Sequence, residues 1–574
     1  MLKLYKYLKT YSIFVAGVLI LVFFQTLCDI YLPTLMSEII DKGVMKADIS
    51  YITKIGSYML LVSFTGVFLA IAANFLSSKT AVGFATLIRE KLFAKIENFS
   101  LYEFDKFGTS TLITRTTNDT NQIQMVTMII LRMLVGAPMM AIGGVIMAYH
   151  QDRNLTLILL AILPLIFLTI WFIASKALPL FRIVQKKVDK LNLVLREKLT
   201  GIRVIRAFNR TEYESQRFDK ANIDLTGNFI KINRIMAFLM PTVMFMMNIS
   251  VVTILWFGIH RIDNGHMQMG SLVAFTQYAM QIMFSLVMFS IVFVMVPRAQ
   301  AAALRINEVL ETEPSIIDSI DQTQFIQNDM PATRGKVEFR NVTFRYHGAE
   351  NPAINNVSFT INPGQTTAII GSTGSGKSTI VNLLMRFYEP ESGEIFVDGV
   401  EIRKMSQAQL RSKIGLVPQK AQLFSGTIKD NICFGVHDTS DEEIIQAASI
   451  AQASDFIEQM DGGYMHEISE GGTNVSGGQK QRLSIARAII KKPDIYVFDD
   501  SFSALDFKTD AKLREALRNA TQHSTVIIVA QRVGTVMNAD QIIVLDDGRV
   551  EGVGKHEDLL ENCSVYREIV QSQI

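Results

Sequence analysis

An all-α membrane domain of six long helices, joined to a soluble α/β domain, is the fold class that this 574-residue sequence predicts. Three observations carry the prediction. Six apolar stretches long enough to cross a bilayer are confined to about the first 300 residues. The text then changes to mixed strand-like and helix-like runs, and a glycine-rich turn between a strand and a helix lies inside that second part.

Composition fits partial immersion in lipid. Apolar residues make up 49% of the chain and charged residues 19%, with 36 Phe and 27 Met, an oily balance for a soluble protein. A net charge of +2 without a basic cluster gives no footprint for nucleic acid, and no such partner is expected. Cys28, Cys433 and Cys563 are too few and too scattered for a disulfide framework or a zinc knuckle. Lys3, Lys6 and Lys9 precede the first apolar run, which is too long for a secretory signal and lacks a small-residue cleavage site; it is read as a retained span.

The six spans fall within Ile13–Leu32, Ile55–Phe75, Leu131–Tyr149, Leu155–Phe172, Phe238–Ile259 and Leu272–Val296. Helices are the open-ended solution in lipid, which cannot satisfy an unpaired backbone. Long polar segments separate span two from three and span four from five. The second of these, Phe181–Ile235, carries thirteen Lys or Arg, whereas the loop between spans three and four offers only Arg153. Positive charge marks the cytoplasmic side, so both long segments and both termini are expected there. Val184, Val188, Leu191 and Leu195 recur at helical spacing, so the membrane helices are expected to continue into the cytosol. Residues 311–335 lose apolar periodicity and read as a linker between a membrane domain, 1–310, and a soluble domain, 336–574.

In the soluble part Gly371, Ser372, Thr373, Gly374, Ser375, Gly376, Lys377, Ser378 and Thr379 form a P-loop, preceded by the strand-like run Thr367–Ile370 and followed by the helix-like run Ile380–Phe387. The glycines let backbone amides wrap a phosphate, and the helix N-terminus adds partial positive charge. Lys377 is expected on the β- and γ-phosphates of ATP and Ser378 on Mg²⁺. A second apolar strand, Ile495–Phe498, ends in Asp499 and Asp500; Asp499 stands where a Walker B acid would hold the metal.

Between these motifs lies Asn474, Val475, Ser476, Gly477, Gly478, Gln479, with Pro418-Gln419 upstream and Ser503 to Asp506 just past Walker B. Here the sequence resembles the ATP-binding cassette family, and six spans followed by one cassette resemble a type-B exporter half. The resemblance implies ATP and Mg²⁺ as cofactors, with Ser378, Gln419 and Asp499 around the metal. It also implies a second half-transporter as partner, a hydrophobic small-molecule substrate, and residence in the plasma (inner) membrane with the cassette in the cytoplasm. Tyr346, expected before the first core strands, matches the adenine-stacking aromatic; a buried sheet tyrosine is the alternative. Ser476, Gly477, Gly478 and Gln479 open a helix whose amides are expected to serve the partner's nucleotide, with Asp506 in the adjoining loop.

Two positions depart from the family pattern. Asp500 stands where a glutamate ordinarily activates the attacking water, and it is one methylene shorter. Gln531 stands where a histidine contacts the γ-phosphate, and an amide cannot carry that proton. Both changes in one cassette, beside an intact signature, imply a heterodimer in which this chain supplies a degenerate, weakly hydrolytic site and completes a consensus site in its partner.

Tyr102, Phe104 and Phe107 in the first cytosolic excursion, and Phe208 in the second, are candidate anchors for coupling helices, or simple packing residues. Spans five and six are rich in Met and Phe, which suits a promiscuous apolar surface and equally suits ordinary packing. Asp29 inside span one is expensive unless it faces protein or water, and Arg132 in span three is read as snorkelling to the interface. Multidrug efflux is the expected function. Export of lipid or lipid-linked substrates, and an ATP-binding sensor without transport, are the alternatives.

Overall fold

The computed structural model describes residues 1–318, 334–436, 438–503 and 506–573. Most of the expected linker, and Ala504 and Leu505, lie outside these residues. The chain forms two compact units: Met1–Glu97 with Ser110–Thr312, and Asn98–Thr109 with Glu313–Ile574.

In the first unit, six helical spans carry the apolar stretches: α1 (Leu2–Val44), α2 (Ile49–Glu97), α3 (Thr109–Gln151), α4 (Arg153–Thr200), α5 (Thr211–Asp263) and α6 (Met269–Glu311). They are 43 to 53 residues long. At about 1.5 Å per residue, each far exceeds a hydrocarbon core of about 30 Å. The excess is amphipathic: Val184 of α4 packs with Leu225 and Ile232 of α5, and Val188 and Leu191 lie against them. Leu195, read from the sequence as part of this stripe, is exposed.

Inside the bundle Ile30, Leu155, Leu159, Ile254, Phe275 and Ile282 belong to one buried cluster that unites five of the helices. Tyr278 is fully buried, so its hydroxyl needs a partner; it shares a hydrogen bond with Thr34 at 2.6 Å and donates to the Ile30 carbonyl at 3.1 Å. A widened turn at Arg115–Asp119 presents two charges to α6. Arg305 pairs with Asp119, its Nε donating at 2.7 Å, and Arg115 pairs with Glu308 at 2.8 Å.

The second unit is α/β. Its central sheet runs Arg549–Gly554, Gln541–Asp546, Thr366–Gly371, Thr525–Val529, Ile495–Asp499 and Ile414–Val417, parallel except for the first strand. The inner strands are apolar on both faces, as a parallel sheet covered on both sides demands. A four-stranded antiparallel sheet built around Val337–Phe344 contributes to a buried cluster with Ile380, Leu383 and Leu384. Tyr346 follows the strand Val337–Phe344 of this sheet and precedes every strand of the central sheet.

This unit also holds a segment that lies between two membrane helices in sequence. The helix Leu101–Phe107 is closed by a capping box in which Ser100 N–H donates to Glu103 Oε2 at 2.8 Å. Glu103 Oε1 accepts from Ser315 N–H at 3.0 Å, and Tyr102 meets His347 edge to face at 5.3 Å. Asp105 Oδ2 accepts from the Tyr388 hydroxyl at 2.6 Å, and Phe107 is buried.

Asp152 does two jobs: its Oδ1 accepts from Asn154 N–H at 2.8 Å and Leu155 N–H at 2.9 Å, capping α4, while its Oδ2 takes Arg261 Nε at 2.6 Å. Removing a cap and a partly buried charge together costs about 2–4 kcal/mol. We expect Asp152→Ala to lower the melting temperature of the detergent-solubilised protein by several degrees, read by scanning fluorimetry. Arg153→Ala, one residue away and outside both contacts, is the control and should leave it in place.

Candidate nucleotide-binding site

The parallel strands bring the motifs together at their carboxyl ends, where open α/β sheets bind ligands. Thr366–Gly371 leads into the glycine loop and then the helix Lys377–Leu384. Thr525–Val529 pairs with it on one side and with Ile495–Asp499 on the other, and Ile414–Val417 flanks the latter. Lys377, Asp499, Asp500, Gln531 and Gln419 thus all follow or end neighbouring strands.

At two of its glycines the loop has no room for a side chain. A Cβ on Gly371 would lie 2.2 Å from the Leu545 carbonyl oxygen, and one on Gly376, whose φ is +96°, would lie 2.7 Å from that of Ala353. Lys377 is buried, and its ammonium donates to the carbonyls of Gly371 at 2.8 Å and Ser372 at 2.6 Å. It is curled around the loop that an anion's oxygens would share with it. Burial pushes Lys377 below the ordinary lysine range, with Asp500 and Asp499 opposing.

Asp499 is buried, which pushes its carboxyl up; the Ser378 hydroxyl donates to its Oδ1 at 3.3 Å and opposes the shift, while Asp500 reinforces it. Ser378 and Asp499 together form a pair of hard oxygen donors that suits Mg²⁺. Asp500 sits at φ +46°, its Oδ2 accepting from Gln419 Nε2 at 3.2 Å. Gln531 is exposed, and its backbone carbonyl accepts from Gln573 Nε2 at 2.7 Å. Tyr346 packs edge-on against Phe344 at 4.9 Å and Tyr388 at 5.4 Å, its hydroxyl 3.2 Å from Thr379 Oγ1. Burial and the adjacent Asp105 carboxylate push the Tyr388 phenol up, keeping it a donor.

Ser476 caps the helix Gly477–Ile490, exchanging hydrogen bonds with Gln479. Around Gly477 a Cβ would meet nothing within 4 Å. Among the described residues no hydrogen bond joins Ser476–Gln479 to the glycine loop. Asp506 caps the helix Phe507–Ala520, and the Thr509 N–H on its carboxylate holds it below the usual range.

Two connectors were not singled out from sequence. Gln481 is buried and donates to the Pro418 carbonyl at 3.2 Å, tying the signature helix to the residue before Gln419. Ser501, fully buried, donates to the Val417 carbonyl at 3.0 Å. Gln481 lies one turn after Gly477 on a helix whose neighbours at Leu483 and Ser484 are buried, and that polar residue on a core face was the available signal.

The fold and this site define a P-loop ATPase domain carried in one chain with a six-helix membrane domain. Residues 15–286 match the ABC transporter transmembrane region and residues 354–503 match the ABC transporter family. The chain is 42% identical over 571 residues, 99% of its length and 97% of the relative's, to an uncharacterised ABC transporter ATP-binding protein of Mycobacterium tuberculosis. It is 32% identical over 482 residues, 84% of its length and 81% of the relative's, to an ATP-dependent lipid A-core flippase of Chromobacterium violaceum. A solved bacterial Atm1-family ABC exporter with ATP bound superimposes with a TM-score of 0.80 at 25% identity, covering 98% of both chains. This chain belongs to the ABC transporter family. It is a half-transporter of exporter fold, a multi-pass membrane protein with an ATP-binding domain.

The raised Asp499 carboxyl must ionise to hold a divalent cation, and the lowered Lys377 ammonium must stay protonated to hold an anion. Mg²⁺-dependent ATP affinity should therefore begin to fall on acidification while still above the ordinary aspartate range, and on alkalinisation before the ordinary lysine value is reached. Equilibrium nucleotide binding against pH checks this, and Asp499→Asn should flatten the acid limb to what the nucleotide's own protonation leaves.

Proposed function

We propose that this chain is one subunit of a heterodimeric, ATP-driven exporter of hydrophobic compounds. It would contribute a degenerate nucleotide site and lend its signature to a consensus site in the partner. The observation that carries this reading is the pairing of Asp500 and Gln531 at the carboxyl ends of adjacent strands, beside a complete glycine loop.

Binding and hydrolysis are separable here. Lys377 and the loop amides would neutralise phosphate charge, Tyr346 would stack on the base, and Ser378, Asp499 and Gln419 would hold Mg²⁺, which supplies Lewis-acid stabilisation of the phosphates when bound. None of those groups has changed. The positions that would activate water and stabilise the γ-phosphate have changed: Asp500 is short and engaged by Gln419, and Gln531 cannot carry a proton. A site so built grips ATP and turns it over slowly.

The open N-terminus at Ser476 and Gly477 and the 74% exposure of Phe208 suit surfaces that a second subunit completes. The helix Leu101–Phe107 would transmit cassette motion to α2 and α3, being continuous with both in sequence and packed into the ATP-binding unit. The charge pattern of the loops supports a cytoplasmic location for that unit and for both termini, in the plasma (inner) membrane. A second reading, export of a lipid or lipid-linked substrate by the same machinery, is favoured by the similarity to a flippase.

The chain purified without a partner should bind ATP yet hydrolyse it at least about tenfold more slowly than the same chain carrying Asp500→Glu and Gln531→His. Phosphate release measures both. Robust hydrolysis and transport by the unaltered chain alone would remove the heterodimer from this account.

A further inference from the structure

The strand Thr525–Val529 delivers the chain to the nucleotide site, and the segment after it carries Gln531. The sheet holds the first residue of that segment: Ala530 is buried, and its N–H donates to the Ile369 carbonyl at 3.1 Å. Past Ala530 the chain leaves the sheet and enters the short helix Val533–Val536, which Arg532 precedes without a side-chain cap. The N–H groups of a first helical turn have no partner within their own helix, and a carbonyl past the end of a strand has no ladder to join. The backbone around Gln531 therefore needs partners from elsewhere in the chain.

One side chain supplies both. Gln573 Nε2 donates to the Gln531 carbonyl at 2.7 Å, and Gln573 Oε1 accepts from Val533 N–H at 2.8 Å. An acceptor on one side and a donor on the other admit one orientation of the amide. Arg532, between the two bonds, is extended at φ −96° and ψ 127°, so the planar amide engages this stretch as a peptide group of a neighbouring strand would. Gln573 is itself fixed. It lies in the turn after the helix Ser564–Gln571, where its N–H donates to the Val570 carbonyl at 3.1 Å and Ser572 N–H donates to that of Glu568 at 2.9 Å. Tyr566 anchors this helix: its ring is fully buried, and its hydroxyl shares a hydrogen bond with His556 Nδ1 at 2.6 Å. Ile569 and Val570 pack in the same apolar cluster as Ala530 and Val533. The helix thus grips buried residues before and after Gln531, and the Gln573 amide grips the backbone between them, while the Gln531 side chain stays exposed.

We infer that Gln573 is a positioning residue for this nucleotide site. By fixing the backbone on both sides of Arg532, it sets the direction in which the Gln531 side chain leaves the sheet and so the contact that this side chain makes with a γ-phosphate. The inference rests on the reading above that places Gln531 beside the γ-phosphate. A hydrogen bond to a phosphate oxygen depends on the angle of approach, and a donor already ordered by the fold loses less entropy on binding than one on a loose segment. Freeing the segment therefore weakens nucleotides that carry a γ-phosphate and spares those that lack it. Disruption of the fold would weaken both.

The test is equilibrium binding of Mg-ATPγS and of Mg-ADP to the full-length chain in nanodiscs. Gln573→Ala should lower the ratio of ATPγS affinity to ADP affinity about fivefold, the scale of one hydrogen bond, while Mg-ADP affinity stays in place and reports an intact fold. Gln531→Ala should lower the ratio as far, and the two substitutions together no further than either alone, because both act on one contact. Gln573→Glu keeps an acceptor for Val533 N–H but sets a carboxylate oxygen against the Gln531 carbonyl, and it should lower the ratio as Gln573→Ala does. Equal losses for the two nucleotides in Gln573→Ala, a ratio left intact in Gln573→Ala or Gln573→Glu, or full additivity with Gln531→Ala would overturn the inference. A ratio lost in Gln531→Ala but kept in Gln573→Ala strikes the inference alone and leaves Gln531 at the γ-phosphate. A ratio kept in Gln531→Ala removes Gln531 from the γ-phosphate and the inference with it.

Discussion

The whole chain depends on meeting the negative charge of a triphosphate inside a protein. Backbone N–H groups and one buried ammonium must converge where side chains cannot intrude. That requirement explains the two glycines whose Cβ atoms would collide with the carbonyl oxygens of Leu545 and Ala353, and it explains a lysine curled onto its own loop. Placing Asp499 two strands away in the same sheet adds the opposite charge at the position a cation would share. The rest of the ATP-binding unit is a scaffold for this arrangement. Its parallel strands are buried and rigid, and Ser501 and Gln481 fasten the neighbouring loop to them.

Lipid imposes the second constraint. Helices of 43 to 53 residues satisfy their own backbones through the bilayer and continue beyond it. The ends that leave the membrane must then find new partners, and the pairing of Val184 with Leu225 and Ile232 supplies one. The turn of chain between α2 and α3 finds another in the ATP-binding unit, through Glu103, Asp105 and Phe107.

Much of this was legible in the sequence because the physics involved is local or periodic. About twenty apolar residues in a row have few alternatives to a span, and the glycine loop with Lys377 has few alternatives to a phosphate cradle. Long-range convergence was not legible. Nothing in the spacing of Asp29 and Gln281 reveals that two separate helices bring them together, with the Gln281 amide donating to the Asp29 carbonyl at 3.3 Å. The strand Val337–Phe344 ahead of Tyr346 was not read, because eight residues give a single-sequence reading little more than alternation to work with. Leu195 continued an amphipathic period on paper, yet it is exposed.

The most direct measurement is equilibrium binding of Mg-ATP to the full-length chain in nanodiscs, comparing the unaltered protein with Lys377→Ala. The account predicts saturable binding that falls by about tenfold or more when the buried ammonium is removed, the scale of one charged hydrogen bond in a desolvated site. Equal affinity in the two proteins would mean that the triphosphate is held elsewhere, and the cradle at the head of the sheet would lose its role.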